Sequence, residues 1–201
     1  GSGGAEIKAL RIATGKGSIT VDGVAGDRLD LRIKVASLPA SLANSFASGL
    51  DASGTIGADA TVTGSSKSPE VQFTVNWQNA LTSQIRAAGI TALTVNAKGR
   101  LQSTRLSIDT NVRGGGGLTL NANGTVDTGG NKALNLSIKG QLPFAAIASQ
   151  LAAQGLALKG NANFDLRIGG STARPDISGR ITTTGSQFIA IRQNLIVNNL
   201  A

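Results

Sequence analysis

The chain contains no cysteine, histidine, methionine or tyrosine, and only one tryptophan. Each gap removes a class of chemistry. Without Cys and His no structural zinc site of the usual kind can be built. Neither a thiol nucleophile nor a Ser-His-Asp triad is available. A disulfide framework is excluded too, which leaves the compartment open. Aromatics make up 3% of the residues against 40% for the whole hydrophobic set, so burial rests on Leu, Ile, Val and Ala. Such side chains line a smooth aliphatic surface and supply few directional polar handles. No run approaches the roughly 20 apolar residues of a membrane-spanning helix. The missing Met and the opening Gly1-Ser2 read as a tag scar on a piece excised from a larger protein.

Positive charge is plentiful: the formal net charge is +8 over 201 residues. A basic surface favours anionic partners such as lipid headgroups or nucleic acid, or it is simply a solvated face. Lys and Arg stand singly, with no cluster interleaved with aromatics, so nucleic acid is not an expected partner.

Alternation with period two dominates the chain. Leu29, Leu31, Ile33 and Val35 alternate with Asp30, Arg32 and Lys34. The same holds for Val71 to Trp77, Leu106 to Ile108, Leu118 to Leu120, Leu134 to Ile138 and Phe164 to Ile168. Each run predicts a strand with one apolar and one wet face. Weaker runs lie at 17–22, 55–63, 91–98, 177–183, 187–192 and 195–199. Turn signals fall at Asp22-Gly23, Gly64-Ser65-Ser66, Ala88-Gly89, Lys98-Gly99, Gly114 to Gly117, Gly129-Gly130, Gly169-Gly170 and Gly185, because Gly supplies the positive φ of tight turns. Close spacing and the lack of intervening helices predict an antiparallel meander.

Two helices are expected to interrupt it. One runs from Leu38-Pro39 to Ser48, with Leu38, Leu42 and Phe46 at i, i+4, i+8. The other runs from Leu142-Pro143 to Gln154, with Phe144, Ile147, Ala148 and Leu151 on one face. Pro near the start and Gly49 or Gly155 just past the end match helix punctuation. Each stripe is expected to lie on the sheet's apolar face. Residues 80–89 read equally as an extended strand or a helical turn. The helices mark an internal repeat: Gly49, Gly54, Gly64 and Pro69 correspond to Gly155, Gly160, Gly170 and Pro175, all offset by 106 residues. The chain is thus expected to be a single β-trough fragment over 1–201 holding two related units, about 29–133 and an incomplete 134–201, in a sheet extended unit by unit.

Little chemistry is on offer. Asp27, Asp30, Asp59, Asp109, Asp127, Asp165 and Asp176 read as members of a solvated face. The Gly114 to Gly117 run lacks the strand–GxxxxGK[ST]–helix context of a phosphate loop. Asn121, Asn123, Asn161 and Asn163 at outward positions suggest twisted or edge-exposed sheet, since Asn is depleted in strands. No catalytic residue, metal or cofactor is expected, and the chain is read as non-enzymatic. Trp77 is either a packing residue or a contact for an acyl chain.

An apolar sheet face is either closed as a sandwich or barrel or left open as a trough. Scarce aromatics and a repeat that extends along the sheet favour the trough. The expected fold is mainly β: a long antiparallel meander curled into an open apolar-lined trough (a β-taco) with two short helices. About a dozen strands at roughly 4.8 Å spacing span on the order of 55 Å, and strands of 7–9 residues give walls about 25–30 Å across. At about 0.8 kcal/mol per methylene, a 16-carbon tail kept from water gains about 10 kcal/mol. No specific residue is needed for that, only a continuous floor.

The run Leu38-Pro-Ala-Ser-Leu-Ala-Asn-Ser-Phe46, followed by Gly49-Leu-Asp-Ala-Ser-Gly-Thr-Ile-Gly57, Val62-Thr-Gly64 and Ser68-Pro-Glu-Val-Gln-Phe73, resembles the TamB family of proteobacteria. So does the second copy, Gln141-Leu-Pro-Phe144, Gln154-Gly-Leu156, Lys159-Gly160, Gly169-Gly-Ser171 and Arg174-Pro-Asp-Ile-Ser-Gly179, and so does Ala87-Ala-Gly-Ile-Thr-Ala-Leu93. Specificity comes from the order of the pieces, which covers nearly the whole chain. The resemblance implies a periplasmic segment of a Gram-negative envelope protein, anchored in the inner membrane by a helix outside this fragment and related to AsmA-like and bridge-like lipid-transfer proteins. It implies phospholipid transport between inner and outer membrane, with acyl chains as the ligand. It also implies outer-membrane protein assembly with a TamA-like barrel reached through other regions. The family has no catalytic residues to carry over. Its groove lining carries over only as alternating apolar positions: Leu31, Ile33, Val62, Phe73, Val75, Trp77, Val95, Ile108, Leu120, Leu136, Ile138, Phe164, Leu166 and Ile168. Two other roles remain open: a folding platform for outer-membrane β-barrels or autotransporters, and a passive structural or adhesin stalk.

Overall fold

Alternating apolar and polar side chains, joined by short connections, produce one sheet in strict sequence order. The computed structural model describes residues 5–45, 49–130, 132–190, 192 and 194–198. The strands are β1 (Ala5–Thr14), β2 (Gly17–Ala25), β3 (Arg28–Pro39), β4 (Ser53–Ser65), β5 (Ser68–Leu81), β6 (Leu93–Gln102), β7 (Arg105–Arg113), β8 (Thr119–Asp127), β9 (Leu134–Pro143), β10 (Leu156–Gly170), β11 (Pro175–Ala190) and β12 (Leu195–Asn198). All neighbours are antiparallel, and β1 and β12 stand at opposite edges of the open sheet. No large side chain is fully buried among the described residues, so no second layer closes either face.

Several strands are longer than the expected 7–9 residues; β10 has 15 and β11 has 16. They continue through bulges and glycines that read as turns in the sequence. Gly23, Gly99 and Gly185 all lie inside strands. A Cβ on Gly99 would stand 2.5 Å from Cζ of Phe73, its cross-strand partner, and Gly140 stands in the same relation to Phe164. These glycines make room for rings lying across the floor rather than for turns. Runs 177–183 and 187–192 fuse into β11 as far as Ala190; Ile191 lies outside the described residues.

The helices are shorter than expected. Ala40–Ser45 is a 3-10 helix, and the rest of that prediction, Phe46 to Ser48, lies outside the described residues. Leu42 is 42% exposed, so this segment seats Ala40, at 1%, instead of a Leu stripe. Helix α1 (Ser83–Ala87), N-capped by the Thr82 hydroxyl, settles the open reading of residues 80–89. Phe144–Ile147 is a 3-10 turn that leads into α2 (Ala148–Ala152).

The two units match in conformation as well as in sequence. Gly49 and Gly155, Gly54 and Gly160, and Gly64 and Gly170 all have positive φ. Gly54 and Gly160 each sit at a register shift, where the extra residue of a bulge bends the strand. Gly64 faces Pro69 as Gly170 faces Pro175. Leu29 and Leu134 are 105 apart, whereas Leu38 and Leu142 are 104 apart. The bulge between Val35 and Leu38 in β3, with Ser37 at φ 53, holds the additional residue.

Candidate functional site

Because the meander is antiparallel, its connections fall alternately on two rims. One rim carries tight hairpins: β2–β3, β4–β5, β6–β7, β8–β9 and β10–β11. The other carries the β1–β2 turn, the β11–β12 connection and the four longer connections β3–β4, β5–β6, β7–β8 and β9–β10, which hold the helices. The helical segments therefore belong to one lip.

That helical lip holds the molecule's small core. Ala80, Leu93 and Leu118 are buried there, and Ile85 and Ile90 of the β5–β6 connection pack against them, as do Trp77, Val95, Val112 and Leu142 of the sheet. The β5–β6 and β9–β10 connections meet, since a Cβ on Gly89 would lie 2.8 Å from Cγ of Gln150. The lip is tied down by polar contacts. Arg86 pairs with Asp51 at 2.7 Å, the Ser83 hydroxyl donates to the Gly49 carbonyl, and Asn44 both donates to and accepts from the backbone of Ala52. Trp77 belongs to this wall: its indole N–H donates to the Ser53 carbonyl at 2.9 Å.

Cross-strand register aligns the fourteen candidate lining residues in four rows on one face. Ile33, Phe73, Ile108, Leu136 and Ile168 form one row, completed by Ala60, Gly99 and Gly124. Val75, Ile138 and Leu166 lie in a second, with Val35, Ala58, Ala97, Thr110 and Ala122. Trp77, Val95, Leu120 and Phe164 lie in a third, nearest the helical lip. Leu31 and Val62 begin the fourth, nearest the hairpins. Its other members, Val71, Leu101, Leu106, Val126 and Leu134, are missing from the sequence-based set, although the same period-two signal marks them. All fourteen candidates are half-buried, and Trp77 and Val95 also pack against the small core at the helical lip.

The opposite face is wet. Asn76, Asn96, Asn111 and Asn121 stand in register across four central strands, with Asn76–Asn96 and Asn111–Asn121 amide hydrogen bonds of 2.7 and 2.8 Å. Strand Asn therefore marks a ladder within the sheet as well as its edges, because each amide finds a cross-strand partner. Exposed ion pairs join Lys98 to Asp109, Arg100 to Glu70 and Lys139 to Asp165. Hydrogen bonds from Arg100 and then Gln102 hold the Glu70 carboxyl below its usual range. The Gly129 N–H and the Thr104 side chain do the same for Asp127.

Two grooves, of about 730 and 490 Å³, also open on this wet face. The larger is bounded by the side chains of the two polar rows that flank Ile33, Ala60, Phe73, Gly99 and Ile108. It takes in Arg32, Lys34, Lys98 and Arg100, but also Asp22, Asp59 and Asp109, so its charges nearly cancel. No group of three or more potential metal-ligating side chains occurs among the described residues. Neither groove assembles a nucleophile with a base.

Comparison of the chain with protein-family models, curated proteins and solved structures returns no match.

Proposed function

We propose that this chain is a segment of a lipid conduit that sheathes phospholipid acyl chains on its apolar floor and passes them along without chemistry. The observation that carries this reading is the four-row aliphatic floor with no protein layer over it. A hydrocarbon tail gains from any part of such a floor at about 0.8 kcal/mol per buried methylene, so neighbouring positions are nearly equivalent and a tail can slide between them. The ordered resemblance to the TamB family supports placing the segment in the periplasm. There it belongs to an inner-membrane-anchored bridge to the outer membrane, with any TamA-like partner engaged elsewhere. Native mass spectrometry of the purified protein is expected to show co-purified phospholipid. Phe73→Arg and Leu136→Asp, both on the central row, should abolish it with strand content by circular dichroism unchanged. Lipid retained by both variants would show that this face is not the lining.

One observation favours a second reading, a folding platform for outer-membrane strands. Among the described residues β12 pairs with Gln187 to Ala190 of β11 alone. The rest of β11 is an open edge on which Ile177 and Ile181 are 62% and 65% exposed, and such an edge accepts strands by β-augmentation. Ile181→Pro should block client-strand binding and spare lipid if that reading holds.

A further inference from the structure

The four rows of the floor contain one hydroxyl. Along strands β3 to β10 their members are aliphatic, aromatic or glycine, with the single exception of Thr110 on β7. In the same row β3, β5 and β9 carry Val35, Val75 and Ile138. Those side chains are β-branched like Thr, and strand preference does not separate Thr from Val. Thr110 therefore differs from Val35 and Val75 by one hydroxyl in place of one methyl, and the local conformation does not ask for that oxygen. No protein group takes it up: Thr110 has no side-chain hydrogen bond among the described residues, and its oxygen is not shut off from solvent. Its neighbours are short. Ala97 and Ala122 stand directly opposite it on β6 and β8, and Gly124 lies diagonally, facing Ile108. They leave a depression around the hydroxyl, which the Phe73 ring bounds at Gly99.

Water satisfies this hydroxyl while the trough is empty. A saturated chain laid over it would strip that water and return no partner, which weakens binding at this spot by about tenfold. A lipid that brings an acceptor oxygen to the depression avoids the loss. In a glycerolipid the acceptors next to the tails are the acyl ester carbonyls, and an ether-linked chain has no carbonyl there. Resting on the conduit reading above, we infer that Thr110 is a specificity-determining residue for ester-linked lipids. Its hydroxyl donates to an acyl ester carbonyl while the tails spread over the aliphatic rows on either side. The short side chains of Ala97, Ala122 and Gly124 let the glycerol end sit low enough for that bond, and the open face leaves the headgroup in water. Elsewhere along the four rows no side chain offers a hydrogen bond, so Thr110 is the place where a passing lipid is held in register.

The test compares uptake, from detergent micelles, of fluorescent phosphatidylglycerol with two ester-linked chains and of its diether counterpart with chains of equal length. Wild type should take up both, the diester about fivefold better, the worth of one net neutral hydrogen bond. Thr110→Val keeps the shape and removes the donor, so diester uptake should fall to the diether level with diether uptake undiminished. Uptake of the diether by the same variant shows that it is folded. Thr110→Ser should retain the preference, and Ala122→Leu, which fills the depression, should lose it. Infrared spectra of the bound diester should show an ester carbonyl band lowered by hydrogen bonding in wild type and not in Thr110→Val. If wild type takes up both lipids equally, or Thr110→Val keeps the preference, the assignment of Thr110 is overturned and the conduit stands. A preference for a mid-chain hydroxylated lipid without ester–ether discrimination would also overturn it, in favour of a contact within the tail. If wild type takes up neither lipid, the conduit reading fails and the role of Thr110 fails with it.

Discussion

The two rims of this sheet are built from the same strands and do opposite things. The helical rim spends its residues on packing: Ala80, Leu93 and Leu118 are buried there, and its one ion pair, Arg86–Asp51, ties two connections together. The hairpin rim has short turns and, among the described residues, no buried cluster. In an antiparallel meander the strands fix only which connections share a side. What each side becomes is decided by connection length, since only the longer loops bring enough apolar residues to bury anything. One lip is thereby a packed wall and the other a line of bare turns, with the aliphatic floor between them.

The contrast can be broken most directly at the wall. Leu118→Ala removes a side chain that is 8% exposed in the small core and should cost about 2–3 kcal/mol. Lys67→Ala on the opposite rim should change stability by less than about 0.5 kcal/mol. Urea denaturation of the two variants would measure the difference, and equal costs would show that the rims are energetically alike. A smaller effect is expected on the floor between them. Gly99→Val places a Cβ against the Phe73 ring and the Ser107 carbonyl, an overpacking worth about 1–3 kcal/mol. The same experiment with Phe73→Ala in the background should recover part of that loss.

The smallest effect separates the rims by pH. Glu70 and Asp127, both beside hairpins, have carboxyls held below their ordinary values of 4.5 and 3.8 by hydrogen bonds to their ionised forms. A lowered native pKa means that the stabilisation is fully present above the ordinary value. It fades as pH falls through that value towards the lower native one. Amide protection at the β4–β5 and β8–β9 turns, taken relative to the intrinsic exchange rate at each pH, should therefore fall below about pH 4.5, before that of the Leu93 and Leu118 amides. Simultaneous loss at both rims would remove the distinction.

Much of this architecture is legible in the residues because a period-two signal survives wherever a strand runs straight. Leu29 to Val35 and Phe164 to Ile168 alternate without interruption and lie in β3 and β10 as expected. The signal fails where a bulge changes its phase. β1 escapes notice because the register shifts between Ile7 and Leu10, where Ala9 has φ 48, so its apolar residues fall out of step. Gly99 suggests a turn because composition alone does not tell a glycine that bends the chain from one that yields space to a ring, whereas Gly23 and Gly185 have positive φ but lie inside strands. The lining candidates share one face because parity is preserved along each strand. The row beside the hairpins, Val71 to Leu134, carries the same alternation and is under-represented among them. The two-rim division needs the strand order itself: only the meander places alternate connections on the same side.

The central claim is that the aliphatic face remains open to hydrocarbon. Photoreactive side chains placed at inward positions 73, 108, 136 and 166, and at outward positions 74, 109, 137 and 167, would be illuminated in cells and the adducts identified by mass spectrometry. The account predicts phospholipid adducts at the inward set and none at the outward set. Adducts distributed equally over both faces, or protein adducts alone at the inward positions, would contradict it.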